Sequence, residues 1–584
     1  MTTRWKLRPV EDAAAVERLA GALNDVPYAL ARALVLRGIT SFDAARDFFR
    51  PDLHRLHDPF EMSGMDRAAD RLAQAVDRGE KVLVYGDYDV DGTTATALMT
   101  AFLRRLGLDA TYFIPNRFEH GYGLGTAGLD AAKDAGATVV VALDCGITAH
   151  EPARYAKSLG LDLIICDHHK PEAETPEAYA VLDAKQACCG YPFKELSGCG
   201  VGFKLAQATL ARLGRDVSEA NEFLDLVAVS TAADIVPLYG ENRELMAAGL
   251  ERLRTQPRPG LAALADVVGL DLAGVTTESI VFALGPRINA AGRLGDARTA
   301  VELLLTPSPT EAARLAADLE AYNAQRRTLD QQIQDEAGRM AEDQLAKWAE
   351  HTVVLYNRDW HLGVIGIVAS RLVERFYRPA IMMCSPGGGL VKGSARSIGG
   401  ISVHAALTEC ADLLDAYGGH DFAAGLTLRE ENVPEFQRRF DAAVGRATVA
   451  AYVGRSFDVD AELSLDDVTG RFWAILRQFA PHGPDNHTPT WQSNDLEVVG
   501  PPQQVGRERQ HLKFYVRQRG GARVFEVIGY RLGAQIQDVA TSARTGQPLE
   551  LVHTIEENVY RGQRSLQLKA KDVRLAATGG DGAA

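Results

Sequence analysis

The chain has 584 residues, of which 46% are hydrophobic, 24% charged and 7% aromatic, and its formal net charge is −14. This length predicts roughly three to five domains, and the apolar content excludes a largely disordered protein. No apolar run reaches the ~18–20 residues of a membrane span. The seven cysteines, an odd number without a CxxC pair, argue against a disulfide framework or a cysteine zinc site. We therefore expect a soluble, cytoplasmic protein.

The first 305 residues predict a helical region followed by an α/β domain. Residues 1–75 have the pattern of short amphipathic helices. From Lys81 the apolar runs KVLVYGD, TVVVALD and DLIICDHH alternate with helical segments such as TTATALMTAFLRRLG. Unbroken apolar strands between helices are typical of a parallel sheet covered on both faces. We assign residues 76–305 to this domain.

The remaining residues predict one long helix and two further domains. Residues 306–351 are rich in Ala, Leu, Glu, Gln and Arg, with apolar residues every three or four positions, which predicts a long connecting helix. A second α/β domain is predicted over 352–450. Short alternating strands over 455–576 predict a small β-barrel, and 577–584 should be a disordered tail.

The predicted barrel is basic although the chain is acidic. Between Arg507 and Arg574 there are 13 Lys and Arg but 7 Asp and Glu. Strand alternation places Lys513, Tyr515 and Arg517 on one face. Cations that follow phosphates, interleaved with rings that stack on bases, suit a nucleic-acid single strand. A barrel with an ordinary solvated basic face is the alternative.

Acidic residues follow three successive predicted strands. They are Asp87, Asp89 and Asp91 after the first, Asp144 after the second, and Asp167-His168-His169 after the third. The carboxyl ends of parallel strands meet at one edge of a sheet. Singly, each Asp is explained as a helix cap or turn former. An EF-hand is excluded because the run follows a buried strand and lacks the Glu at the twelfth loop position. Jointly, five carboxylates and two imidazoles predict a Mg²⁺ or Mn²⁺ site.

These motifs resemble a known family. VYGDYDVDGTTATALM, ALDCGIT, CDHHK and AADIVPL are similar to the motifs of the DHH phosphoesterase superfamily, and GVIGIVASRL, KGSARSI and YGGHDFAAG to its accessory domain. PNRFEHGYGL, YPFKELSGCGVGFKLA, GPRINAAGRLGD, the long helix and the barrel resemble its RecJ branch, single-strand-specific 5′→3′ DNA exonucleases. The resemblance implies an α/β fold with a parallel-sheet DHH catalytic domain, a long connecting helix, a DHHA1-like substrate-binding domain and a C-terminal OB-like β-barrel.

The resemblance also implies roles for particular residues. Two divalent cations, Mn²⁺ or Mg²⁺, would be held by six side chains: Asp87, Asp89, Asp91, Asp144, His168 and Asp234. Asp144 would bridge the two ions, and His169 would stabilise or protonate the scissile phosphate. Asp167 would act in catalysis by orienting His168. The strand pattern alone does not identify Asp234, because AADIVP could equally end a helix.

Further residues are expected to bind the substrate. Arg117, Ser394 and Arg396 would clamp the 5′-terminal phosphate or its neighbours, because guanidinium forks match phosphate oxygens. Arg287, Asn289 and Arg293 would line the strand path, with structural loop contacts as the alternative, and His420 would meet the substrate near the crevice. Lys513, Tyr515 and Arg517 would contact the strand on the barrel.

The implied activity is hydrolysis of single-stranded DNA from its 5′ end to mononucleotides, in recombination and repair. The implied partners are single-stranded DNA with a 5′ end, a single-strand-binding protein and a helicase, and we expect a monomer. Alternatives are a phosphodiesterase of short oligonucleotides or cyclic dinucleotides, and an inactive replication scaffold. The sequence departs from the family at Asp183-Ala184, where Asn-Pro is usual, and at His482, where an aromatic residue is common.

Overall fold

The computed structural model of the protein describes residues 3–117, 119–121, 123–448, 456–560 and 563–576. The chain forms two compact units. The terminal unit consists of Met1–Arg55, Pro237–Glu244 and Gly454–Ala584, and the central unit of Leu56–Val236 and Leu245–Val453. The predicted disordered tail, 577–584, lies outside the described residues. Of the helices in the described ranges, none combines the length and apolarity needed to cross a bilayer.

Strands and helices alternate over residues 81–166, residues 198–347 are helical, and residues 456–575 consist mainly of strands. The strands are β1 (Arg4–Leu7), β2 (Lys81–Tyr85), β3 (Asp109–Phe113), β4 (Val139–Leu143), β5 (Asp162–Cys166), β6 (Ala180–Leu182), β7 (Val353–Tyr356), β8 (Ala380–Gly387), β9 (Leu390–Arg396), β10 (Leu414–Gly419), β11 (Ala423–Arg429), β12 (Ser456–Val459), β13 (Ala461–Glu462), β14 (Trp491–Val498), β15 (Gln503–Val505), β16 (His511–Gln518), β17 (Phe525–Gly529), β18 (Leu549–Tyr560) and β19 (Gln563–Leu575). The α-helices are α1 (Ala13–Ala22), α2 (Tyr28–Val35), α3 (Phe42–Phe49), α4 (Met65–Arg78), α5 (Val90–Arg105), α6 (Thr126–Asp134), α7 (His150–Ser158), α8 (Gly198–Arg212), α9 (Leu224–Ala233), α10 (Gly240–Thr255), α11 (Pro259–Val268), α12 (Thr277–Ser279), α13 (Gly285–Leu294), α14 (Arg298–Leu305), α15 (Pro309–Lys347), α16 (Leu362–Phe376), α17 (Val403–Thr408), α18 (Val433–Thr448), α19 (Gly470–Leu476) and α20 (Ile536–Thr545).

The predicted parallel sheet is confirmed in the central unit. Its strand order is β3-β2-β4-β5-β6, and every pairing is parallel. All five residues of β4 are buried, as expected for a strand covered on both faces. Helices α6 and α7 share one apolar core with the sheet, and α5 and α8 also pack against it. The carboxyl ends of β2, β4 and β5 therefore lie side by side at one edge.

A mixed sheet and the long helix complete the central unit. The sheet has the order β10-β11-β9-β8-β7, with only β7 and β8 parallel. Helix α15 begins where the Ser308 side chain accepts from the Glu311 backbone N–H, at 3.3 Å. Its Leu315 and Leu319 are buried, and its Ile333 packs in one core with α16. Because it contacts α11, α13, α14 and α16, this helix is part of the packed core rather than a free spacer.

The terminal unit is built on a seven-stranded sheet with the order β13-β14-β18-β19-β17-β16-β15. The sheet curves until β14 also pairs with β16, where Leu496 lies opposite Gln518. The N-terminal residues differ from the prediction of helices alone, because β1 pairs in parallel with β12. Helices α1–α3 share an apolar core with the C-terminal strands, whereas α4 belongs to the central unit. The described structure therefore divides the predicted region 1–75 at Arg55.

Candidate metal centre and substrate crevice

The first group of carboxylates follows β2 in a tight strand-to-helix turn. A Cβ atom at Gly92 would lie 2.6 Å from the backbone of Asp87, so only glycine lets the first turn of α5 approach the strand end this closely. The Asp89 side chain caps α5 by accepting from the Gly92 N–H at 3.1 Å. The turn therefore holds the three carboxylates of the DxDxDG run beside the sheet edge.

The Asp91 carboxylate lies at the N-terminus of another helix. Its Oδ2 accepts from the Gly198 N–H at 2.6 Å, and its Oδ1 accepts from the Cys199 N–H at 2.8 Å, at the start of α8. The Ser230 hydroxyl donates to the same Oδ1 at 2.7 Å. Backbone donors and the positive end of the helix dipole thus stabilise this charge.

Asp144, after β4, has a left-handed backbone with φ of 59°. A Cβ atom at Gly198 would lie 2.7 Å from the Cβ of Asp144. The start of α8 therefore packs directly against Asp144, and glycine at position 198 is what allows this approach. A non-glycine residue with positive φ is uncommon and marks a position under local constraint.

The predicted metal-binding side chains meet in one crevice. Their candidate ligand atoms lie within 4.8 Å of one another in three overlapping groups: Asp87 with Asp89 and Asp144, Asp91 with His168 and Asp234, and Asp144 with His168 and His169. His168 Nε2 lies 3.2 Å from Asp144 Oδ1, 3.5 Å from Asp234 Oδ2 and 3.7 Å from Asp91 Oδ2. Asp234 reaches the crevice from the C-terminus of α9, not from a strand.

The crevice concentrates buried negative charge. Burial, reinforced by the charge of Asp89, raises the pKa of Asp87 to about 8. Burial, reinforced by Asp91 and Asp89, raises the pKa of Asp234 to about 8 as well. Burial and the neighbouring carboxylates raise the pKa of Asp144 well above its usual range. Without a cation, these carboxylates repel one another in a poorly hydrated environment.

Several buried atoms of the crevice lack hydrogen-bond partners among the described residues. Neither ring nitrogen of His168 nor Oδ1 of Asp87 has one, and burial lowers the pKa of His168. Buried polar atoms are almost always satisfied, so these three are available to a ligand. Carboxylate oxygens with a neutral imidazole are a donor set that suits Mn²⁺ or Mg²⁺. The residues present therefore fit divalent cations.

The predicted role of Asp167 is wrong in one respect. We expected its carboxylate to orient the ring of His168, but Oδ1 lies 2.7 Å from Nδ1 of His169 and contacts only the backbone N–H of His168. The reason is local: the ring two residues along the turn folds back onto the carboxylate. Burial alone would raise the pKa of Asp167, but this hydrogen bond and the His169 charge lower it to about 2. Burial alone would lower the pKa of His169, but the hydrogen bond and the charge of Asp167 raise it to about 9.

Arginines predicted to bind phosphate lie in the same unit. The Arg117 guanidinium stacks 4.2 Å from the ring centre of Tyr88, which lies between two of the crevice carboxylates in sequence. Arg396 Nη1 donates to the Ser394 hydroxyl at 2.9 Å. A Cβ atom at Gly366 would lie 2.9 Å from that hydroxyl, so glycine lets α16 approach the pair. Ser394 and Arg396 are therefore hydrogen-bonded neighbours, and their binding of a phosphate remains a prediction.

The GPRINAAGR segment forms α13, and its three polar residues have different surroundings. Arg287 pairs with Glu320 of α15 at 2.7 Å, which is the structural contact we named as the alternative. Arg293 donates to the Gly363 carbonyl at 2.9 Å. Burial lowers the pKa of Arg293 to about 10, and the charges of Arg117, Arg326 and Arg396 act in the same direction. Asn289 and Arg293 line a cavity of about 170 Å³.

His420 is exposed in the turn after β10. Its N–H donates to the Ala423 carbonyl at 2.8 Å, and Gly419 before it has φ of 136°. Within the described ranges its side chain forms no hydrogen bond or ion pair with the carboxylate crevice. The expectation that it meets the substrate remains a prediction.

The predicted basic face of β16 is present in the terminal unit, but its charges are paired. Phe514 and Val516 are buried, as alternation predicts. Lys513 Nζ lies 2.8 Å from Glu526, and the Tyr515 hydroxyl donates to the same carboxylate at 3.0 Å. Arg517 pairs with Glu497 at 2.8 Å. The surface is therefore less positive than its sequence suggests.

Comparisons with known proteins cover all of these regions. Three family models match: the DHH family N-terminal domain over residues 81–231, the DHHA1 domain over 350–446 and the RecJ OB domain over 459–572. The chain is 37% identical to the single-stranded-DNA-specific exonuclease RecJ of Bacillus subtilis, over 98% of this chain and 71% of that protein. It is also 37% identical to RecJ of Salmonella typhimurium, over 94% and 96% of the two chains. The crystal structure of Thermus thermophilus RecJ in complex with Mn²⁺ matches with a TM-score of 0.81 at 31% identity, covering 100% of this chain and 81% of that one.

Proposed function

The chain belongs to the RecJ family of single-stranded-DNA-specific exonucleases, and on that premise we propose that it hydrolyses single-stranded DNA in a metal-dependent reaction. The observation that carries the proposal is the crevice. Buried carboxylates from two strand ends and one helix end surround the ring of His168, which follows a third strand and has no hydrogen-bond partner in the described part of the chain. A structural ion-pair network would instead supply cations among the side chains. The relatives named above act on single-stranded DNA, and the shared domain content supports the same substrate here.

Six side chains would hold two divalent cations, Mn²⁺ or Mg²⁺, with Asp144 shared between them: Asp87, Asp89, Asp91, Asp144, His168 and Asp234. When bound, such cations supply the Lewis acidity that activates water for in-line attack and stabilises the leaving oxygen. Asp167 fixes the ring of His169 through Nδ1. The His169 side chain is 43% exposed at the mouth of the crevice. His169 then donates a hydrogen bond or a proton to the scissile phosphate.

The proposed direction is 5′→3′, with release of mononucleotides. Arg117, Ser394 and Arg396 would bind the 5′-terminal phosphate, because a guanidinium fork beside a hydroxyl presents several donors to phosphate oxygens. A strand held by its terminal phosphate presents its first phosphodiester bond to the crevice. Arg293 and Asn289 would line the path of the strand, with His420 beside it.

The C-terminal strands would also bind the single-stranded DNA. Lys513 and Arg517 would contact phosphates while the Tyr515 ring, 40% exposed, stacks on a base. We further propose that the enzyme acts as a monomer in the cytoplasm, in DNA recombination and repair. A helicase and a single-strand-binding protein would supply and present the strand.

The test is hydrolysis of a single-stranded oligonucleotide labelled at either end, with Mn²⁺, Mg²⁺ or EDTA. We expect metal-dependent release of the 5′ label as a mononucleotide, a ladder of long 3′-labelled products, and no activity in Asp144→Ala. Duplex DNA and a dinucleotide serve as control substrates. Cleavage of the dinucleotide alone would indicate a small-substrate phosphodiesterase. DNA binding without cleavage under every metal would indicate a scaffold.

A further inference from the structure

We propose that Arg326, on the long helix α15, binds a phosphate of the DNA strand in a cavity that it shares with Arg293 and Asn289. The long helix would then supply part of the substrate path as well as joining two domains. The inference rests on the proposed function, because it assumes a DNA substrate, but it concerns a residue that the sequence motifs did not identify.

The cavity lies beside the metal centre. It has a volume of about 170 Å³, and Ala233, which immediately precedes Asp234, forms part of its wall. At ~30 Å³ for each water molecule, this space holds roughly five waters, and so it accommodates a phosphate group. Arg293 and Asn289 enter it from α13, and Arg326 enters it from α15.

The Arg326 guanidinium has an N–H donor without a hydrogen-bond partner among the described residues. Its side chain is 12% exposed, and the buried Nε has no hydrogen-bond partner among the described residues. Nη2 donates to the Asn323 side chain at 3.0 Å. Nη1 lies 3.7 Å from Asp330 Oδ2, which is beyond hydrogen-bonding distance. A buried donor without a partner is costly, and a phosphate oxygen would satisfy it.

The nearby carboxylate of Asp330 is shared between Arg326 and Arg371, so it only partly offsets this charge. Asp330 is 1% exposed and forms its short ion pair with Arg371, at 2.7 Å. Arg293 has no carboxylate within ion-pair distance in the part of the chain that the structure describes. The cavity is therefore lined by two largely buried guanidinium groups, and the one carboxylate beside them, Asp330, is shared with Arg371. An excess of positive charge remains, which an anion would complete. Guanidinium forks bind phosphate oxygens with matched geometry.

A matched pair of variants tests the proposal. Arg326→Gln removes the charge from the cavity, whereas Arg327→Gln removes the same charge from the next residue, which is 57% exposed and pairs with Glu320. The dissociation constant for single-stranded DNA is measured in EDTA over a range of salt concentrations. We expect Arg326→Gln to weaken binding about ten- to a hundred-fold, the usual effect of one charged hydrogen bond. The salt slope should fall by about 0.7, the contribution of one phosphate contact on a single strand.

A conservative variant and modified substrates identify the phosphate. We expect Arg326→Lys to recover part of the affinity that Arg326→Gln loses. Oligonucleotides with one neutral methylphosphonate, and oligonucleotides with a 5′-hydroxyl, are compared with the normal strand. The effect of Arg326→Gln should disappear on the one substrate that lacks the contacted phosphate, either internal or terminal.

Two results would overturn the inference while the proposed function stands. In the first, the wild-type enzyme degrades DNA, and Arg326→Gln has the same affinity and salt slope as the wild type. In the second, Arg326→Gln loses the same affinity on every methylphosphonate substrate. Failure of the wild type to cleave DNA with any metal would instead reject the proposed function. Retention of the Mn²⁺-induced rise in melting temperature shows that the variant is folded.

Discussion

The carboxylate crevice of the central unit and the basic strand face of the terminal unit deal with charge in opposite ways. In the crevice, carboxylates from the ends of β2, β4 and α9 lie close together, and the His168 ring among them has no hydrogen-bond partner within the described ranges. On β16 the cations are each matched, Lys513 by Glu526 and Arg517 by Glu497. Uncompensated charge indicates where a charged ligand binds. It is a more reliable guide to the binding site than a count of charged residues.

The arginines show the same contrast. Near the crevice, Arg293 has no ion-pair partner among the residues described, and Arg326 shares the carboxylate of Asp330 with Arg371, whereas Arg519 and Arg574 of the terminal unit pair with Asp495 and Glu550. The chain has a net charge of −14 and its C-terminal segment is basic, so composition alone directs attention to that segment. Local pairing directs it instead to the central unit.

The largest expected effect is on hydrolysis, through Asp144. Asp144→Asn keeps the volume that the close contact with Gly198 requires, and Asn tolerates the left-handed backbone. If two cations share this carboxylate, as we propose, its loss should lower kcat about a thousandfold or more. In EDTA the same variant should melt at a higher temperature than the wild type, because an amide cannot ionise beside the neighbouring carboxylates. Steady-state hydrolysis and thermal unfolding measure the two effects, and an active variant would contradict the placement of this residue.

The next largest effect tests whether Asp167 acts through His169 rather than as a metal ligand. Because Asp167 holds His169 at 2.7 Å, Asp167→Asn and His169→Asn should each lower kcat about ten- to a hundred-fold. The two losses should not add in the double variant, since both remove one oriented imidazole. Mn²⁺ affinity, measured by calorimetry, should change little in either. Additive losses, or a large loss of Mn²⁺ affinity, would instead place Asp167 with the metal ligands.

Metal-free stability should depend on pH because of the crevice. Asp87 and Asp234 have pKa values of about 8 in the folded protein, whereas an unfolded Asp titrates at about 3.9. Between these values the folded state binds more protons, so its stability falls as pH rises. His169 acts in the same direction, because its pKa is about 9 in the folded protein and about 6.5 in the unfolded chain. The stability that the protonated ring contributes is therefore lost as pH rises above about 6.5. The melting temperature in EDTA should therefore fall from pH 5 to pH 8.

Mn²⁺ provides the control for that pH series. It should raise the melting temperature more at pH 8 than at pH 5, because it binds the ionised carboxylates. Asp144→Asn should flatten the metal-free profile. A profile that rises with pH in EDTA would show that the carboxylates are already neutralised by side chains.

The sequence predicted the parts of the site that follow from local pattern. Apolar strands with Asp at their ends specify both the parallel sheet and the meeting of Asp87, Asp144 and His168. Asp234 comes from a helix end with no such pattern, and only the resemblance supplied it. The partner of Asp167 depends on how one turn folds, which spacing does not determine. Such details require coordinates because one-residue differences in a turn redirect a side chain.

Contacts between distant segments were also beyond the sequence. The pairing of β1 with β12 joins residues about 450 positions apart, and nothing in either short strand specifies the other. Likewise, strand alternation correctly placed Lys513 and Arg517 outward, but it did not reveal the carboxylates on neighbouring strands. Periodicity predicts which face a residue occupies, whereas its partner depends on strand order and register.

The smallest expected effect concerns the paired charges on β16. Arg517 and Glu497 are both partly exposed, and an ion pair of this kind contributes about 0–1 kcal/mol. If the pair masks the arginine, Arg517→Gln should weaken single-stranded DNA binding less than about fivefold. Glu497→Gln should tighten binding by a similar factor, because it releases the guanidinium to a phosphate. Fluorescence anisotropy at low salt measures both, and the gain should vanish in the double variant. A loss of affinity in Glu497→Gln would mean that the carboxylate orients Arg517 for DNA, so that pairing on this face prepares the cation instead of masking it.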